Sequence, residues 1–265
     1  MKHFSRKISA GLYPGIACAA ILTGCATADT PKKPMSIACY NIRSFRGLDN
    51  VKNVDRTLAA LKELNFDLCA LQEVRKENID TVAPIEYCAE KLGMKAFFAQ
   101  ALQEKTFVYG VGSISKYPTT LVDIIKLPVA GNREPRVAQI LKVQSPNGEL
   151  YFVNTHFSYE NNMDQERLDQ LKTILNVLDK NQYTPAIIAG DLNAEPNSPA
   201  INLLAEHCQI IGDVTPGFPA NNPRVKIDYM AFYPKDAFRA SDFRVVDDAE
   251  SSDHRPMITK LEWKK

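Results

Sequence analysis

Short apolar runs that finish on a polar side chain recur along this chain. Residues 35–43 alternate as a strand, with Ile37, Cys39 and Asn41 on one face. Residues 66–74 form a second run that closes on Gln72-Glu73-Val74, and residues 149–156 close on His156. Ala186-Ile187-Ile188-Ala189 reads as a buried strand, and Gly190 is expected to bend the backbone where that strand stops. Asp191 and Asn193 follow at the mouth of a sheet edge, where ligand sites of α/β folds tend to lie. Taken alone, Gly-Asp and Asn-Ala-Glu-Pro-Asn are equally well an ordinary turn.

Helical spacing alternates with these runs. Val51, Val54, Leu58, Leu61 and Leu64 recur on one helix face, and Leu168, Leu171, Leu175 and Leu178 stripe a helix over about 163–179. Residues 77–92 are expected to be helical with Pro84 inside, and Ser198-Pro199 opens a short helix with proline at its first position. Residues 95–101, 106–115, 119–125 and 136–143 read as strands punctuated by Tyr117-Pro118 and Ser145-Pro-Asn-Gly148. Further strands are expected at 224–233, 243–246 and 257–263. The first of these carries Asp228, and Ser252-Asp253-His254-Arg255-Pro256 precedes the last. With no internal repeat and no linker after residue 34, one domain over 35–265 is the economical reading.

The first residues stand apart. Lys2, Arg6 and Lys7 precede a mostly apolar stretch from Ile8 to Leu22, the pattern of a secretory signal over residues 1–24. Leu22-Thr23-Gly24-Cys25 resembles the bacterial lipobox, which implies cleavage before Cys25 and lipid on that cysteine. Residues 26–34 are small, polar and proline-bearing, a flexible tether. The expected location is the bacterial cell envelope, lipid-anchored to the membrane and facing the periplasm or the cell surface. The whole chain carries 32 basic and 31 acidic side chains, and loss of Lys2, Arg6 and Lys7 leaves 29 against 31. A weakly acidic remainder lacks the broad positive field of a non-specific nucleic-acid binder. No pair among Cys39, Cys69, Cys88 and Cys208 has CxxC spacing, which argues against zinc; Cys39 and Cys69 read as small buried hydrophobes. A disulfide is permitted outside the cytoplasm, but no pair is indicated.

Asn41, Glu73, His156, Asp191 with Asn193, Asp228, and Asp253 with His254 therefore all lie at or beside the ends of apolar runs. If those ends converge, they enclose carboxylates, amides and two histidines. An oxygen-rich donor set suits Mg²⁺ or Mn²⁺, and histidines beside carboxylates suit proton transfer and phosphate binding. The alternatives are local: Asn41 as a strand-end cap and Glu73 as a partner of Arg75 or Lys76.

Six pieces in order resemble the endonuclease/exonuclease/phosphatase superfamily, the deoxyribonuclease-I-like group. They are Tyr40-Asn41-Ile42-Arg43, Leu71-Gln72-Glu73-Val74, Asn154-Thr155-His156, Gly190-Asp191-Leu192-Asn193, Ile227-Asp228-Tyr229 and Ser252-Asp253-His254-Arg255-Pro256. The resemblance implies an α/β (α+β) fold: a four-layered sandwich of two mixed β-sheets packed face to face with helices on the outside. It implies that Asn41, Glu73 and Asp253 surround a divalent metal, Glu73 as the main direct ligand. Asp191 and Asn193 would position the attacking water, with Asp191 one candidate base. Asp228 would orient His254 through one ring nitrogen, leaving the other to face phosphorus as base or charge stabiliser, and His156 would bind a phosphate oxygen. Arg43 and Arg136 are weaker carry-overs as phosphate contacts, with surface ion pairs as the alternative.

The expected activity is metal-dependent hydrolysis of a phosphodiester or phosphomonoester by water, in a monomer. One cation polarises the phosphoryl oxygen, and fixed donors share the developing charge. An extracytoplasmic nuclease is the nearest rival. A non-catalytic envelope binding protein with the same fold should have lost such residues, and all are present here. Specificity would lie in loops near 43–50, 101–106, 126–135, 157–163 and 212–224.

Overall fold

The computed structural model describes residues 1–3 and 33–264, so the expected signal segment, Cys25 and nearly all of the tether lie outside the described residues. The first sheet runs β11 (Phe238–Val245), β12 (Met257–Trp263), β1 (Met35–Asn41), β2 (Leu68–Glu77), β4 (Phe107–Ser115), β3 (Lys95–Gln103). The second runs β5 (Thr119–Leu127), β6 (Arg136–Ser145), β7 (Gly148–His156), β8 (Ala186–Asp191), β10 (Asp228–Tyr233), β9 (Gln209–Ile210). Each sheet is mixed: β1 pairs with β2 and β7 with β8 in parallel, and the other neighbours are antiparallel.

Strand alternation builds the layers. Ile37, Cys39, Leu68 and Ala70 face Leu141, Phe152, Ile187, Met230 and Phe232 in a core between the sheets. The other parity, Ala38, Tyr40, Cys69 and Leu71, packs outward under α1 (Val54–Leu64) and α2 (Pro84–Lys91). On the far side Val153, Ile188 and Ala231 pack under α3 (Asp164–Asn181) and α4 (Pro199–His207). The order helix, sheet, sheet, helix is the four-layered sandwich expected from the resemblance. Cys39, Cys69, Cys88 and Cys208 are all free thiols within these cores.

Several local expectations are corrected. The second strand does not stop at Val74 but continues to Glu77, and α2 begins at Pro84 rather than containing it. Proline there loses nothing, because the first helical N–H has no intrahelical partner. Val51 precedes α1, whose cap is Asn53, its side chain accepting from Arg56 N. The strand expected from 224 is regular only from Asp228, and the one expected at 243–246 runs from Phe238 to Val245 across a register shift. Gly190 does not bend the chain: it lies inside β8, where a Cβ would come within 2.1 Å of the Thr155 carbonyl oxygen. Its service is close approach of β7 and β8.

A buried polar chain ties the sheets together. Gln72 Nε2 donates to Asn154 Oδ1 at 2.7 Å, and Asn154 Nδ2 donates to the carbonyls of Leu71 and Gly112. Gln72 precedes Glu73 and Asn154 lies two before His156, so this network fixes one sheet's site residues against the other's.

Candidate active site

Where β1, β2, β7, β8 and β10 approach one edge, a cavity of about 420 Å³ opens. Its lining includes Glu73, Arg136, His156, Asp191, Asn193, Asp253 and His254. Asn41 sits beneath, fully buried at the end of β1. Its Nδ2 donates to Glu73 Oε1 at 3.1 Å and to Asp191 Oδ2 at 3.0 Å. Its Oδ1 accepts from the Arg43 backbone N–H at 3.0 Å. The reverse amide orientation would turn an oxygen toward two carboxylates, so the chemistry selects this one. Asn41 thus bridges the two sheets' carboxylates as a donor.

Glu73 reaches the cavity through a fault in its strand. The β2–β4 register shifts between Leu71 and Val74, and Glu73 holds φ +56°. By alternation residue 73 would face the helices with Leu71; Val74 takes that outer place instead. A bulge of this kind re-aims one side chain at the expense of local strain. Burial raises the Glu73 pKa, against the Asn41 hydrogen bond and the charge of His254. Glu73 makes no ion pair among the described residues, so its charge is met only by the Asn41 amide and, at longer range, by His254 and Arg136.

Asp228 and His254 form a dyad: His254 Nδ1 donates to Asp228 Oδ2 at 2.9 Å. Both are nearly inaccessible, and Phe218 covers the imidazole with ring centres 4.7 Å apart. Ser252 Oγ donates to the Asn41 carbonyl at 2.7 Å, which docks the Asp253-His254 loop against β1. His254 Nε2 faces Asp191 Oδ2 at 3.6 Å. Burial alone would lower the His254 pKa, but Asp228 and Asp191 more than offset it and raise it to about 10. Its ring is therefore an imidazolium at neutral pH, with both nitrogens donating.

His156 is the opposite case. Arg136 Nη1 lies 3.2 Å from its Nδ1, and a guanidinium can only donate, so the proton is on Nε2, which faces Asp191 Oδ2 at 3.5 Å. Burial, then the positive charges of Arg136 and His254, push His156 well below the usual histidine range. Asp191 receives both rings. Its Oδ1 also accepts from Asn193 N at 3.0 Å. Burial, opposed by His254 and assisted by Asp228, raises Asp191 to about 7. Asn193 holds φ +47°, and its Nδ2 donates to the Phe157 carbonyl at 3.1 Å.

The two arginines differ. Arg136 is buried against the cavity and ion-paired to Glu134 at 2.6 Å. Arg43 lies outside the lining: Nε contacts Asp253 Oδ2 at 3.3 Å and Nη1 donates to the Gly47 carbonyl at 2.9 Å. Tyr109, Glu134, Tyr159, Phe218 and Ile227 also line the cavity without having been assigned a role from the sequence, although Ile227 belongs to one of the six matching pieces and Glu134 to a loop expected to carry specificity. Tyr159 and Phe218 fall in loops expected to carry specificity; Tyr109 sits in mid-strand, where no sequence signal marks it.

Two groupings can take a cation. Asp191, Asp228 and His254 offer donor atoms within 4.8 Å of one another. There His254 Nδ1 donates to Asp228, so a cation taking that nitrogen would have to release its proton. Glu73 and Asp253 supply hard oxygens at the cavity, and Glu73 has no ion pair among the described residues, which is the chemistry a divalent ion completes. The residues present fit such an ion.

The sequence profile described as the Endonuclease/Exonuclease/phosphatase family matches residues 38–254. No curated protein matches by sequence. Among solved structures, an endonuclease/exonuclease/phosphatase from Beutenbergia cavernae aligns at TM-score 0.71 and 20% identity, over 88% of this chain and 72% of that one. The human Nocturnin catalytic domain with bound sulfate aligns at 0.66 and 18%, over 87% and 94%. A mannosyl-6-phosphatase of Bacteroides thetaiotaomicron aligns at 0.65 and 16%, over 86% and 100%. At these identities the likeness is one of fold.

Proposed function

Because the chain belongs to the endonuclease/exonuclease/phosphatase family, we propose that it hydrolyses a phosphoester by attack of water at phosphorus. Glu73 and Asp253 would hold a divalent cation, Mg²⁺ or Mn²⁺, with Asn41 fixing the Glu73 carboxylate. The observation that carries the reading is the chain Asp228–His254–Asp191 at a cavity that also presents Arg136, His156 and Asn193.

When bound, the cation supplies a Lewis acid for a phosphoryl oxygen and the leaving oxygen. Asn193 N and Asn41 Nδ2 fix the Asp191 carboxylate from two sides. A carboxylate with a pKa of about 7 suits a base acting near neutrality, so Asp191 takes the proton of the attacking water. His254, held protonated by Asp228, stabilises charge growing on the phosphoryl oxygens. His156 Nε2–H and Arg136 bind the phosphate from the second sheet.

Leu22-Thr23-Gly24-Cys25 supports a lipid tether in the bacterial envelope, with the domain facing the periplasm or the surface. Radiolabelled fatty acid should enter the protein and fail to enter the Cys25→Ala variant; equal labelling would remove the anchor.

The enzymatic test is turnover by the purified protein with Mg²⁺ or Mn²⁺. Substrates are bis-p-nitrophenyl phosphate, p-nitrophenyl phosphate, sugar phosphates, inositol phosphates, sphingomyelin and plasmid DNA. Hydrolysis abolished by EDTA is expected. Full activity in EDTA would remove the metal, and no turnover of any ester by folded, metal-loaded protein would sink the reading.

A further inference from the structure

Lys226 lies at the entry to β10, two residues before Asp228, and is 5% exposed with no hydrogen-bond partner for its ammonium among the described residues. Its Nζ sits 4.9 Å from the Tyr229 ring centre and 5.4 Å from that of Phe243. The Phe243 ring can approach because residue 212 is glycine: a Cβ there would meet it at 2.3 Å. Asp228, for its part, gives Oδ2 to His254, while Oδ1 is buried without a partner. A buried cation and a buried carboxylate oxygen, each unpartnered, therefore lie two positions apart in the sequence, not within 4.0 Å of each other but close enough that the carboxylate acts on the ammonium. Either one alone is costly to bury. Burial lowers the Lys226 pKa, and Asp228 opposes that more than any other charge, ahead of Asp213. Asp213 is exposed, so water can solvate it and it creates no demand for a buried cation.

We propose that Lys226 is the counter-charge of Asp228 and, through it, a positioning residue for His254. The ammonium balances the carboxylate through space and leaves Oδ2 to accept from His254 Nδ1. Aromatic rings hold the lysine in place without competing for its charge by a carboxylate. The catalytic consequence rests on the phosphoesterase reading; the pairing of Lys226 with Asp228 does not.

A double-mutant cycle on the full chain separates the two. Lys226→Met keeps most of the side-chain volume and removes the charge. It is introduced into the wild-type protein, into Asp228→Asn and, as a control, into Asp213→Asn, and thermal unfolding is measured in EDTA. The melting temperature should fall by several degrees in the wild-type and Asp213→Asn backgrounds, and hold or rise in the Asp228→Asn background. Equal shifts in the Asp228 and Asn backgrounds would overturn the pairing. In the metal-loaded protein, kcat of Lys226→Met should drop roughly tenfold or more with KM unchanged. A wild-type kcat would overturn the positioning role. If the wild-type protein hydrolyses no phosphoester yet the unfolding cycle is coupled, the pairing stands and the proposed activity fails.

Discussion

Asp191 and Asp228 face each other in register across the β8–β10 ladder, two buried carboxylates on adjacent strands. Like charges directly opposite one another in a sheet destabilise it, and here His254 sits against both. The arrangement stores an electrostatic cost in the centre of the site, and that cost depends on pH.

Three buried groups set the sign. Asp191 is raised to about 7, so its ionisation opposes folding, and stability falls as pH rises from the ordinary aspartate range through 7. His254 is raised to about 10, so its contribution is complete below the ordinary histidine value and is lost as pH rises through 10. His156, pushed well below the ordinary histidine value, works the other way, adding stability as pH rises to about 6.5, so metal-free protein should lose melting temperature chiefly above that pH. Asp191→Asn should make the slope of melting temperature against pH more positive between pH 4 and 7. An unchanged slope between pH 4 and 7 in that variant would show that Asp191 is not the group responsible.

Asp228→Asn removes the anion that keeps His254 protonated. Turnover should fall by about 10²–10⁴-fold, and the alkaline limb of the rate profile should move to lower pH because the His254 pKa falls. Kinetics across pH with metal-loaded enzyme would read both effects. An alkaline limb that stays in place would mean that the protonated ring is not what acts.

At position 73 function and stability should separate. Glu73→Ala and Glu73→Gly should both abolish tight Mn²⁺ binding by titration calorimetry and cut turnover by orders of magnitude. Since φ is +56° there, the glycine variant should be the more stable of the two in EDTA, by about 1 kcal/mol. Equal stability of the two variants would argue that the bulge carries no strain.

Gly190→Ala tests the close approach of the parallel strands. A Cβ at 2.1 Å from the Thr155 carbonyl must push β7 and β8 apart, and with them His156 and Asp191. Destabilisation of about 2 kcal/mol or more is expected in chemical denaturation, together with reduced turnover. A wild-type midpoint would contradict the packing.

What the sequence determined by itself was the alternation that makes strands two-faced, the helical stripes of α1 and α3, and the set of polar residues that close or follow apolar runs. Those features are local: side-chain period and turn chemistry are written into neighbouring residues. Asp191, His156, Asp228 and His254 were legible for that reason, and the structure brings Asp191, His156 and His254 to one cavity with Asp228 bonded behind His254. Tertiary structure alone decided the rest. Period two assigns Glu73 to the helix side, and only the shifted register against β4 turns it into the site. Asn41 became a bridge because a strand of the second sheet brings Asp191 within reach of its amide. Nothing local in the sequence marks Lys226, which only the packing of Phe243 and β10 encloses. Register, sheet-to-sheet approach and enclosure depend on residues far apart in the chain, so no local pattern encodes them.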